Sequence, residues 1–96
     1  MSPRRSKLEI QLNILSAIED GVDKPTRIMY AANMSWKPVQ KVMSRLIEKG
    51  LITQLTNSER GRSKRRYVIT KKGSKVLAYF NDAKSLLQFD GIYSNE

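Results

Sequence analysis

The chain has 96 residues, with 18 Lys and Arg against 9 Asp and Glu, giving a net charge of +9. That length holds one hydrophobic core and not two, and an apolar fraction of 40% is enough to build it, which excludes a disordered basic tail. Cys and His are both absent, which excludes disulfides, thiolate- or imidazole-held metals and the commonest general base and nucleophile, so no cofactor is expected.

The surplus of positive charge points to a polyanion, either nucleic acid or an anionic membrane surface. The basic start Met1-Ser2-Pro3-Arg4-Arg5-Ser6-Lys7 is followed by apolar residues broken by Glu9, Gln11 and Asn13. This is no signal peptide. No run reaches the ~18–20 apolar residues of a membrane helix. An intracellular protein without a membrane-spanning helix is expected.

The first helix signal is Ser6-Lys7-Leu8-Glu9, a capping box ahead of a periodic apolar run. Leu8, Leu12, Leu15 and Ile18 follow at helical spacing, Ile10 and Ile14 widen the stripe, and Asp20-Gly21 ends it. A second, shorter helix begins at Pro25-Thr26, with proline suited to the first turn and Thr26 an alternative cap. Asn33-Met34-Ser35 reads as a tight turn, and Ser35 as the cap of a third helix from about Trp36 to Lys49. Val39, Val42, Met43, Leu46 and Ile47 share one face of it; Lys37, Gln40, Lys41, Ser44 and Arg45 share the other.

After Gly50 the period changes. Leu51 to Thr56 and Arg65 to Ile69 read as two strands, and the polar stretch from Asn57 to Lys64 as a basic loop between them. Thr70 caps a fourth helix, where Val76, Phe80, Ala83 and Leu87 form one seam suited to pairing with another helix, either a second copy or the first helix of the same chain. Leu77, Tyr79, Leu86 and Phe89 add a second apolar surface.

Three helices followed by a hairpin is the order of a winged helix-turn-helix, mainly α with a small β-hairpin. The expected organisation is a basic arm over residues 1–5, the winged unit over 6–73, a C-terminal dimerisation helix over 74–89, and a frayed tail over 90–96. In such units the helix after the turn enters the major groove of duplex DNA. Candidate contacts there are Trp36, Lys37, Gln40, Lys41, Ser44 and Arg45, since Gln pairs with adenine and Arg or Lys with guanine. The wing supplies Arg60, Arg62, Ser63, Lys64, Arg65 and Arg66, a basic run without an acid, suited to phosphates or the minor groove. Thr26 and Arg27 of the second helix, and Arg4, Arg5 and Lys7 of the arm, complete the set. Tyr30 and Trp36 are better read as packing than as base-stacking, and Tyr67 as core.

The sequence resembles the archaeal winged helix-turn-helix proteins that include the abundant ten-kilodalton DNA-binding proteins of hyperthermophilic archaea. The resemblance rests on Ser6-Lys7-Leu8-Glu9-Ile10 with Ile14-Leu15, on Thr26-Arg27-Ile28-Met29-Tyr30 with Ala32-Asn33-Met34-Ser35, on Leu46 with Glu48-Lys49-Gly50-Leu51-Ile52, and on Thr70-Lys71-Lys72-Gly73. It implies double-stranded DNA binding, a homodimer through the last helix, and a role in chromatin or transcription. The family's ten-kilodalton members carry a longer last helix and a shorter, less basic wing.

A protein-interaction module of the transcription machinery and an RNA-binding protein are the alternative classes. An enzyme is disfavoured, because the nine acids are scattered and no Gly-rich phosphate loop is present. No small-molecule ligand can be read from the pattern. The charge falls where a winged helix meets phosphates, with no apolar face beside it for lipid, so a cytoplasmic, nucleoid-associated protein with no membrane contact is expected.

Overall fold

The computed structural model describes residues 6–59 and 62–89, with side chains placed for 6–56 and 64–87. Helices α1 (Lys7–Glu19), α2 (Pro25–Ala32) and α3 (Trp36–Glu48) are followed by strands β1 (Ile52–Glu59) and β2 (Arg62–Ile69) and then by helix α4 (Lys71–Phe89). The order is the one expected from the sequence, and the fold is mainly α with a two-stranded wing.

Local chemistry explains where each helix starts and stops. At α1 the Ser6 hydroxyl accepts from the Glu9 N–H at 3.0 Å, and the Glu9 carboxylate accepts from the Ser6 N–H at 3.3 Å, closing the capping box. At the ends of α1, α2 and α3 one hydrogen-bond pattern recurs. Gly21, Asn33 and Gly50 take φ of 104°, 54° and 74°, and the next residue's N–H reaches back to a carbonyl in the last turn. These are Schellman closures, for which glycine and asparagine suffer least in the left-handed region.

Ser35 stands at the cap of α3, as expected, though its side chain makes no cap bond. Lys24, not Thr26, occupies the cap of α2, because Pro25 stands at the first helical position, and its side chain makes no cap bond either. Helix α3 ends at Glu48, one residue earlier than expected, with Lys49 as its cap.

The antiparallel ladder runs from Ile52↔Ile69 to Glu59↔Arg62. The stretch expected to be a loop is therefore mostly strand. From Thr53 to Thr56 and from Lys64 to Arg66 the side chains are exposed, so the outer hairpin has no core face to cover and apolar alternation is not required there. The backbone pairs regardless of side-chain polarity. Arg60 and Gly61 lie outside the described residues.

The core is formed by Ile14, Leu15 and Ile18 of α1, Ile28 and Ala32 of α2, and Val39, Met43 and Leu46 of α3, closed by Leu51, Ile52, Tyr67 and Leu77. Tyr67 is core, as expected. Helix α1 packs against α2, β2 and α4, yet Leu8, at its open end, is half exposed.

The junction between wing and α4 is tightly drawn. The Thr70 hydroxyl donates to the Gly50 carbonyl at 2.7 Å and accepts from the Gly73 N–H at 3.0 Å, while the Thr70 N–H donates to the Leu51 carbonyl at 3.0 Å. One threonine thus caps its own helix and ties it to the end of α3.

Candidate nucleic-acid interface

Helix α3 is sharply two-sided. Val39, Met43 and Leu46 are buried, whereas Lys37, Gln40, Lys41, Ser44 and Arg45 are all exposed. The exposed set falls at i, i+3, i+4, i+7 and i+8, which places it on one stripe of the helix surface. No acid occurs between Trp36 and Ile47. The stripe presents two lysines, an arginine, an amide and a hydroxyl, groups able to bond base edges and phosphate oxygens. Trp36 is half-buried and leans on the core. Tyr30 differs from the expected packing: it is 73% exposed, because its position on α2 faces away from α1 and α3.

The wing and the start of α2 form a second basic surface. Lys64, Arg65 and Arg66 line a cleft with Lys24, Pro25 and Thr26. The Tyr67 N–H donates to the Asp23 carbonyl at 3.0 Å, which stitches the α1–α2 segment to the free edge of β2 and holds that cleft together. Asp23 also stands 3.9 Å from the Arg66 guanidinium, with the two side chains 34% and 52% exposed; an exposed pair of this kind is weak. Lys24 is the member of this surface that the sequence pattern did not single out, since a lone lysine before a helix has no periodic signature. Arg27 is exposed on α2.

Lys7 lies beside Lys41 and Arg45 across the groove between α1 and α3, so the start of α1 joins the α3 surface. Arg4, Arg5 and Arg60 lie outside the described residues, as do the side chains of Arg62 and Ser63, whose backbones belong to β2.

The fourth helix divides the expected seam. Leu77 is buried, and Val76, Phe80 and Ala83 are half-buried. Together with Leu12 they line the α1 side. Leu86 and Leu87 remain 67% and 71% exposed, and so does Tyr79, whose ring meets Phe80 edge-on at 5.7 Å.

Among the described residues no group of three or more acids could hold a metal ion, and no helix is long and apolar enough to cross a membrane.

A three-helix core, a tight turn before an exposed polar helix, and a paired wing define a winged helix-turn-helix. The model of the winged helix-turn-helix family matches residues 4–88, and the chain belongs to that family. It is 34% identical over 75 residues to an uncharacterized protein of Methanocaldococcus jannaschii, a match covering 78% of this chain and 69% of that one. Among solved structures it is similar to a PadR-like transcriptional regulator of Bacillus cereus, with a TM-score of 0.75 and 18% identity, covering 91% of this chain and 93% of that one. It is also similar to Lactococcus lactis ZitR in complex with DNA, with a TM-score of 0.66 and 21% identity, covering 96% of this chain and 62% of ZitR. At these identities the likeness to the two solved structures is one of fold.

Proposed function

We propose that the chain binds double-stranded DNA and regulates transcription, with α3 in the major groove and the wing on phosphates and the adjacent minor groove. The observation that carries this reading is the stripe of Lys37, Gln40, Lys41, Ser44 and Arg45, all exposed and free of acid over its length. Gln40 would read adenine, and Lys41 or Arg45 guanine. Trp36, half-exposed at the start of α3, would meet sugar or a thymine methyl. The Lys24, Lys64, Arg65 and Arg66 cleft would follow one phosphate strand, with Thr26 and Arg27 as further contacts and Arg60, Arg62 and Ser63 assigned to the same role from the sequence. Arg4, Arg5 and Lys7 would add a third contact. The similarity in fold to PadR-like and ZitR regulators supports this placement.

The chain acts as a homodimer in this reading. Leu86, Leu87 and Tyr79 are large apolar side chains left in water on one helix, and a second copy packed on α4, continuing the seam of Val76, Phe80, Ala83 and Leu87, would cover them. A nucleoid role is the second reading, favoured by the excess of phosphate-directed cations over base-reading groups.

The test is titration of a duplex at several salt concentrations. Neutralising about 4–6 phosphates gives a slope of log affinity against log salt near −4 to −5; a slope near zero overturns the proposal. Site selection at moderate salt separates the two roles, since a regulator discriminates among sequences by about a thousandfold or more.

A further inference from the structure

The basic stripe of α3 has an apolar neighbour that DNA binding does not use. Between α1 and α3 lies a groove of about 220 Å³. Its floor is Ile10, Met34, Pro38 and Val42, and Lys7, Lys41 and Arg45 stand around it. Its remaining lining residue is the neutral Gln11, and no acid lines it. Lys41 and Arg45 are four residues apart on one helix face, a like-charge pair with no counter-ion in the groove. An open apolar floor beside three cations is complementary to a molecule with an apolar body and an anionic head. The floor carries no aromatic ring, and its branched and thioether side chains suit a flexible alkyl chain.

We propose that this groove binds an amphipathic anion, an unbranched alkyl chain ending in a carboxylate, with the chain over Ile10, Met34 and Val42 and the carboxylate among Lys7, Lys41 and Arg45. Lys41 and Arg45 then cannot serve the ligand and DNA at once, so occupation of the groove opposes DNA binding. The ligand site stands on the groove alone; only the antagonism rests on the DNA reading.

The test uses the full chain without DNA, titrated with hexanoate, octanoate and decanoate below micelle-forming concentrations. Binding is saturable and strengthens about fourfold per added methylene until the groove is full. Decanol, lacking the charge, binds at least about tenfold more weakly, since a charge-assisted contact at the head is lost. Methyl NMR signals of Ile10, Met34 and Val42 shift, while those of Leu77 and Leu87 in the separate α1–α4 groove do not. Equal binding of decanol, no dependence on chain length, or shifts confined to Leu77 and Leu87 overturns the site. So does capture by phosphatidylglycerol vesicles without binding of free decanoate. In the second arm, decanoate displaces a duplex from the wild-type chain. Met34→Gln, with a melting temperature that shows the fold retained because Met34 also packs against the core, weakens decanoate binding about fivefold or more yet binds the duplex within about twofold of wild type, because no DNA-directed charge is removed. Decanoate that binds without displacing the duplex overturns the antagonism, whereas failure of the duplex to bind at all sinks the DNA reading and leaves the carboxylate titration standing.

Discussion

Among the described glycines, Gly73 has the least room for a side chain. A Cβ added there would stand 2.1 Å from the Leu51 carbonyl oxygen and 2.7 Å from Ile69 Cγ1. Two opposing effects follow in Gly73→Ala. Alanine favours the helical state over glycine by about 0.8–1.0 kcal/mol. Against this, the Leu51 carbonyl must retreat by about 1.3 Å to reach an ordinary contact of 3.4 Å, and overpacking of this kind costs about 1–3 kcal/mol. That carbonyl accepts the Thr70 N–H at 3.0 Å, so its retreat also strains a hydrogen bond with a net value of about 0.5–1.5 kcal/mol. Leu51 is buried and follows the left-handed Gly50, so the backbone there has little freedom to yield. The net loss is about 2 kcal/mol, which for a domain of this size lowers Tm by roughly 10–15 °C. Circular dichroism melts at one fixed protein concentration measure it, with Lys75→Ala as a control. Lys75 is exposed two positions along the same helix and should shift stability by no more than about 0.5 kcal/mol. A Gly73→Ala chain that melts with the wild type, or above it, would show that the junction is looser than its geometry and refute the reasoning.

Four further outcomes are expected. Ser6→Ala removes the hydroxyl half of the capping box and lowers stability by about 1 kcal/mol, seen as a Tm about 4–8 °C lower; an unchanged melt would show that α1 frays without cost. Lys64→Gln with Arg65→Gln reduces the steepness of the salt dependence of duplex binding by about 2 and weakens all sequences alike, whereas a change limited to certain sequences would assign the wing to base readout. Gln40→Ala costs about 1–3 kcal/mol on the preferred site and relaxes preference at one base pair, as a mutated-site panel would reveal. Light scattering of the wild-type chain at tens of micromolar reports twice the chain mass, and Leu86→Lys with Leu87→Lys reports one chain mass with helix content retained; a monomeric wild type removes the dimer.

The parts legible in the sequence are those set by residues close together in the chain. Ser6 and Glu9 cap α1 because they are three apart. Asn33 and Gly50 end their helices because their own backbone tolerates positive φ. The two faces of α3 follow from its period. What the sequence concealed is set by pairing across distance. Polar residues such as Asn57 and Lys64 read as loop, but the ladder continues through them because hairpin hydrogen bonds come from the backbone. The partnership of Asp23 with Arg66, and the Asp23 carbonyl with the Tyr67 N–H, joins segments over forty residues apart. The Thr70 hydroxyl was legible as a cap, but its bond to Gly50, twenty residues back, was not. Tyr30 and Leu87 show the same limit from the other side: helical spacing says which residues share a face, and only packing says whether another element covers it.

The separation of core from charge bears on how the interface can work. Among the described residues no polar or charged side chain is buried, so stability rests on apolar packing and on the backbone bonds at helix ends. The exposed cations of α3 and the wing sit outside that framework, apart from the weak Asp23–Arg66 pair. Like charges held together on one surface repel one another, at a cost that ordinary solvation and salt reduce but do not abolish. Lys37, Lys41 and Arg45 on one stripe, and Lys24, Lys64 and Arg65 on one cleft, therefore gain most when a polyanion lies across both surfaces. Because these side chains carry little of the packing, neutralising them should change affinity and its salt dependence while the melting temperature stays nearly fixed. A large loss of stability on neutralising Lys41 or Lys64 would instead mean that the cations hold the fold, and the assignment of both surfaces to a ligand would lose its physical basis.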